Sequence, residues 1–328
     1  MRIFSGMQPT GRKHLGNHIG ATVQYVAGQE RGEAIYCIVD LHSLTVPFDP
    51  RELPVLVYDT ATILLAAGLD PERCVLFRQS DVREHTELTW LLTAVTAKGD
   101  LERMTQYKDK SAKQRELSTA GLFLYPVLMA ADVLAYGAHE VPVGDDQRQH
   151  VELMRDIAVR FNSRFGETLV VPEARIPEVG ARIMDLQDPT SKMSTTSASI
   201  EGTVYVLDEP AQIERKFKRA VTDSGSGVHR SADKPGISNL IEILAVVRGV
   251  DQSEVEREHR DSRYGEFKAT VADAVIEYLT PVRERYNELR ADEARLEAIL
   301  AAGAERARAI ASDTLAEVRA AMGVGPPR

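Results

Sequence analysis

The chain has 328 residues, 43% of them hydrophobic, and a formal net charge of −9 at pH 7. Its length suits about two domains with a sizeable core. The acidic balance excludes a histone-like or nonspecific nucleic-acid binder, but leaves room for a local basic patch that holds one RNA. No stretch stays apolar over the roughly 20 residues a membrane helix needs, and no apolar signal region follows Met1, so a cytoplasmic protein is expected.

Residues 3–6 read as a strand and 17–29 as a helix. The apolar run 34–40 is a second strand. Residues 51–67 carry apolar positions at helical spacing and stop at Gly68. Residues 74–79 form a third strand and 84–98 a helix. Residues 120–136 are apolar nearly all round, which predicts a buried helix. A short strand at 140–143 leads into an amphipathic helix at 146–165. This alternation argues for an α/β fold, a parallel sheet with helices on both faces, whose ligands sit at the carboxyl ends of the strands. Those ends fall at Gln8 to Gly11 and Gly144 to Asp146. Beyond Pro210 the pattern is helical, at 211–220, 237–248 and 265–322, and the tail from Asp292 resembles a surface helix or helical hairpin. Segments 188–199 and 222–235 are rich in Gly, Ser, Thr, Asp and Pro and read as flexible. The two cysteines, Cys37 and Cys74, lie in strand-like runs and suit neither a zinc site nor a redox pair.

Two distant stretches carry the chemistry. Gln8-Pro9-Thr10-Gly11-Arg12-Lys13-His14-Leu15-Gly16-Asn17 leaves the first strand and opens a helix; Ser191-Lys192-Met193-Ser194-Thr195-Thr196 lies in a Ser/Thr-rich loop. As a pair, in this order, they resemble the HIGH and KMSKS signatures of class I aminoacyl-tRNA synthetases. Such enzymes join an amino-acid carboxylate to the α-phosphate of ATP, a reaction that needs positioned reactants and stabilised phosphate charge. Gly6, Gly11 and Gly16 let backbone approach a nucleotide, and a helix N-terminus attracts anions. His14 and Asn17 can donate to phosphate oxygens, and Lys192 can swing onto the pyrophosphate leaving group. The plainer alternative is a tight turn with surface His and Asn and a solvated loop lysine.

Asp132 falls on the apolar helix. A buried carboxylate is costly without a partner, so it meets a donor inside the protein, solvent at a helix end, or a donor on a substrate. At Gly144-Asp145-Asp146-Gln147, either aspartate could cap the following helix, or the turn could hold ribose hydroxyls and an ammonium group.

The resemblance sharpens along the chain. Phe4 to Gly11, Ile38-Val39-Asp40-Leu41-His42, Leu101 to Lys108, Tyr125 to Asp132, Val141 to Glu152, Pro172 to Pro177, Gly180 to Met184 and Lys234 to Leu240 are similar to phrases of the bacterial tryptophanyl-tRNA synthetases. That family implies a Rossmann-like catalytic domain, a helical domain that contacts the anticodon, and a homodimer. By position, Asp132 would accept the indole N–H, and Tyr125 and Gln147 would hold the α-amino group. Phe4, Met129, Val141 and Val143 would line the indole pocket, with His42 close by. Gln8 and Lys110 would act near the reacting carboxylate and phosphates. Gln8, Pro9, Thr10, Gly16, Asn17, Gly144, Asp145, Asp146 and Ile183 would form the ATP site with Lys192, Met193, Ser194, Thr195 and Thr196. Mg²⁺ would ride on the ATP phosphates, and tRNA(Trp) would be the second substrate. The implied division is a catalytic domain at 1–186, a mobile loop at 187–200 and a helical domain at 201–328, with the last helix free to pack back on the first domain.

One departure stands out: Thr195 replaces the second lysine of the loop signature, which removes a cation from the leaving phosphates. The sister enzyme for tyrosine and a non-charging paralogue remain as alternatives, separated from the leading reading by the Asp132 phrase and by Thr195. A dinucleotide dehydrogenase does not fit, because no GxGxxG follows the first strand.

Overall fold

The computed structural model describes residues 1–108, 119–176, 182–194 and 200–326. Strand β1, Arg2–Met7, is followed by a short helix α1, Leu15–Asn17, a π-helical turn His18–Thr22, and α2, Val23–Gly28. Next come β2, Glu33–Ile38, α3, Asp40–Ser43, α4, Leu53–Ala66, and β3, Val75–Arg78. Helices α5, Glu84–Thr93, α6, Lys98–Arg103, and α7, Ala120–Leu134, precede β4, Glu140–Pro142. Then α8, Arg148–Phe165, leads to β5, Glu173–Arg175. The remainder is helical: α9, Pro210–Lys218, α10, Pro235–Arg248, α11, Gln252–Glu258, α12, Tyr264–Arg290, and α13, Glu293–Met322.

The five strands form one parallel sheet in the order β3-β2-β1-β4-β5. Ala34 to Ile38 of β2 are all buried. Because side chains alternate along a strand, that continuous run means both sheet faces are covered, as parallel sheets require. Connections run outward from β1 to β3 on one side and from β4 to β5 on the other. The topological switch therefore lies between β1 and β4, where open α/β sheets bind ligands. Gln8 and Gly144 follow the carboxyl ends of these two strands.

Contacts divide the chain into two compact units, one made of Met1–Thr10, Tyr25–Pro177 and Asp292–Arg328, the other of Gly11–Gln24 and Glu178–Ala291. This grouping differs from a linear division at 186 and 201, for two local reasons. The turn after β1 is sewn to a later segment of its own unit: Leu15 N–H donates to Val204 C=O at 2.8 Å and Val206 N–H to Lys13 C=O at 2.9 Å. In the first unit, α13 adds Ala304, Ala307, Ala311, Leu315 and Val318 to the core that holds Phe4, Ile35, Cys37 and Phe77.

Several elements differ from the sequence reading. The helix expected at 17–29 begins at Leu15 and passes through a π turn. The helix expected at 84–98 ends at Thr93, and α6 follows. The tail from Asp292, read as a surface helix or helical hairpin that could also pack back on the first domain, lies in the core of the first unit, after a break between Arg290 and Glu293 where Asp292 caps α13 by accepting from Arg295 N–H at 2.9 Å. Strand β5 and helix α11 had no counterpart in that reading.

Candidate active site

Asp132 on α7 has a side chain only 2% exposed, and three protein side chains partner it. Gln79 Nε2 donates to Oδ1 at 2.7 Å, His85 Nδ1 lies 2.5 Å from the same oxygen, and His42 Nε2 lies 2.9 Å from Oδ2. Each carboxylate oxygen offers two lone-pair sites, so Oδ1 is filled and Oδ2 keeps room for one more donor. Burial alone would push this carboxyl up; the bonds from His42 and His85 outweigh it and hold the group well below the usual carboxylate range. An ionised Asp132 only accepts, which puts the facing protons on the two imidazoles.

Behind His85, Nε2 stands 2.6 Å from the Tyr136 hydroxyl. Burial pushes that phenol well above its ordinary value, so it keeps its proton and donates to the ring. The Tyr136 ring stacks on Phe4, with centroids 5.4 Å apart. Sequence reasoning named Asp132, His42 and Phe4 but missed Gln79, His85 and Tyr136. Gln79 had a readable signal, since it follows the carboxyl end of β3.

The other expected amino-acid contacts share this unit. Tyr125 is buried, its hydroxyl lies 2.9 Å from His150 Nε2, and burial raises it to about 12. Val141 is buried, while Met129 and Val143 are partly buried against the core. Gln147 is half-buried and its amide donates to Asp146 Oδ2 at 2.7 Å. The capping alternative for the aspartates fails: the turn Asp145–Gln147 and helix α8 carry no side-chain cap bond. Asp145 instead receives Arg148 at 2.8 Å, three residues on. After β1, Thr10 N–H donates to Gln8 C=O at 2.9 Å and closes a tight turn around Pro9.

The second unit holds Gly11 to Asn17 of the first signature stretch and Ser191 to Ser194 of the second. His14 caps α1 reciprocally: its Nδ1 accepts from Asn17 N–H at 3.2 Å, and its own N–H donates to Asn17 Oδ1 at 3.3 Å. Burial, then the charges of Lys192 and Lys13, lower His14 to about 4. The ring is therefore neutral near pH 7, and because Nδ1 accepts, Nε2 carries the proton as a donor. Asn17 likewise keeps both amide hydrogens to offer. Gly16 lies close beneath the His14 ring: a Cβ there would crowd the ring at 3.2 Å and touch Ile183 at 3.6 Å. Met193 N–H donates to Ile183 C=O at 3.0 Å, and Lys192 pairs antiparallel with Met184. Asn239 clamps that segment, donating to Met184 C=O at 3.0 Å and accepting its N–H at 2.9 Å. Lys192 is exposed, Ser194 half-buried and Met193 buried. Of the expected site residues, Lys110, Thr195 and Thr196 lie outside the described residues.

A turn offering neutral donors beside an exposed lysine, and an α/β unit with an internal carboxylate, match a known family. The model of the class I tRNA synthetases for W and Y matches residues 1–280, and the chain belongs to that family. Within it, the chain is 48% identical over 330 residues to tryptophan--tRNA ligase 2 of Streptomyces avermitilis, covering 100% of this chain and 98% of that one. It is also 48% identical to the tryptophan--tRNA ligase of Mycobacterium leprae, covering 100% and 97%. Tryptophanyl-tRNA synthetase from Campylobacter jejuni, solved with ADP and tryptophan, superposes with a TM-score of 0.87 at 35% identity, covering 99% of this chain and 100% of that one. Tyrosyl-tRNA synthetase from Aeropyrum pernix shares the fold, with a TM-score of 0.67 at 19% identity, covering 92% and 89%.

Proposed function

We propose that the protein is a tryptophan–tRNA ligase that activates L-tryptophan with ATP and passes it to the terminal ribose of tRNA(Trp). The observation that carries this reading is the likeness to curated tryptophan--tRNA ligases at about half identity over the full length, joined to a buried, ionised Asp132 with one acceptor position left on Oδ2. In this reading the indole N–H takes that position. Phe4, Met129, Val141 and Val143 enclose the ring, and Tyr125 and Gln147 receive the ammonium group. A pocket built on one buried acceptor rejects analogues that lack the matching donor, so no separate editing step is needed.

His14 Nε2–H, the Asn17 amide and Lys192 are all donors, a set suited to phosphate oxygens rather than to a cation. Gln8, Pro9, Thr10, Gly16, Gly144, Asp145, Asp146, Ile183, Met193, Ser194, Thr195 and Thr196 complete the proposed ATP contacts, with Lys110 and Gln8 beside the reacting groups. Mg²⁺ would be held by the ATP phosphates rather than by a protein cage, and would offset part of their charge. The tryptophan carboxylate attacks the α-phosphate, the bond to the β,γ-pyrophosphate breaks, and Lys192 stabilises the departing charge. Residues 1–186 carry the catalysis, 187–200 the closing loop, and the helical domain 201–328 the anticodon contact, apart from its last helix, which packs into the core of the first unit. The enzyme works in the cytoplasm as a homodimer.

The test is ATP–pyrophosphate exchange by the purified protein with tryptophan, with tyrosine and with neither. Exchange stimulated by tryptophan alone is expected. Stimulation by tyrosine instead would overturn the specificity, and none with either would favour a non-charging relative.

A further inference from the structure

Resting on the tryptophan reading above, we infer that His85 and Tyr136 are positioning residues for amino-acid selection: through the chain Tyr136–His85–Asp132 they aim the one open lone pair of Asp132 at the indole N–H. Neither residue lines the expected pocket. His85 is completely buried, and both of its ring nitrogens are committed, Nδ1 to Asp132 Oδ1 at 2.5 Å and Nε2 to the Tyr136 hydroxyl at 2.6 Å.

The arrangement leaves little freedom. Tyr136 donates to Nε2, which forces the remaining ring proton onto Nδ1, facing Asp132. With Gln79 also donating to Oδ1 at 2.7 Å, that oxygen is saturated and the carboxylate cannot rotate without abandoning two bonds. Only Oδ2, shared with His42, can receive a further donor. Packing holds the rings of the chain in place. Tyr136 stacks on Phe4 at 5.4 Å and meets Phe77 edge-on at 5.8 Å, and Phe77 also meets His85 edge-on at 5.8 Å. A functional group is positioned to within a fraction of an ångström by such supporting bonds. Losing one frees the acceptor to turn and blunts the penalty against a substrate that offers no N–H.

The experiment compares tryptophan with its isostere benzothienylalanine, in which sulfur replaces the indole N–H, by steady-state exchange kinetics on the full-length enzyme. Tyr136→Phe keeps the ring and removes only the hydroxyl. It is expected to lower the kcat/KM preference for tryptophan about tenfold, mainly through a higher KM for tryptophan, with kcat and the KM for ATP little changed. His85→Leu removes both bonds and is expected to lower the preference further. His85→Asn, whose amide nitrogen occupies the Nδ1 position, should restore most of it. Thermal unfolding of each variant separates loss of fold from loss of selection. Wild-type enzyme that prefers tryptophan, together with folded Tyr136→Phe and His85→Leu variants of unchanged preference, would overturn this inference while sparing the tryptophan reading. Wild-type enzyme without tryptophan-stimulated exchange would instead remove the reading on which it rests.

Discussion

Asp132 illustrates how one residue type can be read correctly and yet incompletely. A carboxylate on an apolar helix had to find donors, and it found three on other elements: His42 on α3, His85 on α5 and Gln79 just after β3. Asp132→Asn leaves the volume but swaps an acceptor for a mixed donor and acceptor facing two imidazoles. It is expected to cost about a hundredfold or more in kcat/KM for tryptophan, with the KM for ATP nearly unchanged. Exchange kinetics check this, and an unaltered KM for tryptophan would remove Asp132 from the pocket. At the loop, Thr195 can supply only a neutral bond where a cation is usual. Thr195→Lys should raise the single-turnover activation rate severalfold, since charge-assisted bonds are about twice as strong; a rate equal to wild type would show that the missing cation costs nothing.

His14 in the first signature and His18 just after it make a second residue-scale case. Burial, with Lys192 and Lys13, lowers His14 to about 4, and burial lowers His18 to about 4, against an ordinary 6.5. Between pH 6.5 and 4 the unfolded chain binds these protons and the native chain does not, so stability falls as pH falls through that window. By pH 5 each histidine should cost about 1–2 kcal/mol. Urea unfolding at pH 7 and pH 5 should show His18→Asn losing its share of this decline. An identical decline in the variant contradicts the assignment.

Among elements, α13 shows why composition alone misleads. Its Ala, Glu and Arg content reads as a surface helix, yet the small residues are the ones that let it lie close against β3. A Cβ at Gly303 would sit 1.9 Å from the Leu76 carbonyl oxygen. Gly303→Ala therefore has to push the helix off the sheet, at an expected cost of about 3 kcal/mol and roughly 6 °C in Tm. Calorimetry decides, and an unchanged Tm would mean the contact relaxes freely. The strands were legible in proportion to their burial. The run that became β2 announced itself because covered parallel strands are continuously apolar. Strand β5 is Glu-Ala-Arg, exposed throughout, and exists only because Val141 pairs with Ala174. The break before α13 could have been found from Asp292, a favoured cap residue, had the helix-forming residues on either side not masked it.

For the whole molecule, the order of residues along the chain is a poor guide to which of them fold together. The last 37 residues, Asp292–Arg328, belong to the unit that begins at Met1. They supply core side chains at Ala304, Ala307, Ala311, Leu315 and Val318. Glu297 also accepts from Arg78 at 2.9 Å and from the Tyr58 hydroxyl at 2.8 Å. A chain ending at Ala291 is expected to lose cooperative unfolding and to bind a hydrophobic dye, because one side of the sheet core would face water. A sharp thermal transition in that fragment would show the helix to be dispensable.

Patterns local in sequence were decided before any folding: the alternation that makes a parallel sheet, the turn and loop signatures that place the chain among class I synthetases, and the carboxylate that needed partners. Each depends on spacing over a few residues, where backbone periodicity and side-chain chemistry act directly. Contacts distant in sequence were decided only by the tertiary structure. His85 and Tyr136 stand 51 residues apart, with nothing in either neighbourhood to announce the other. Their meeting, like the clamp of Asn239 on Met184 and the seat of α13 on β3, follows from packing density. Once the sheet order is set, a buried polar atom must take whichever partner the neighbouring elements bring within reach.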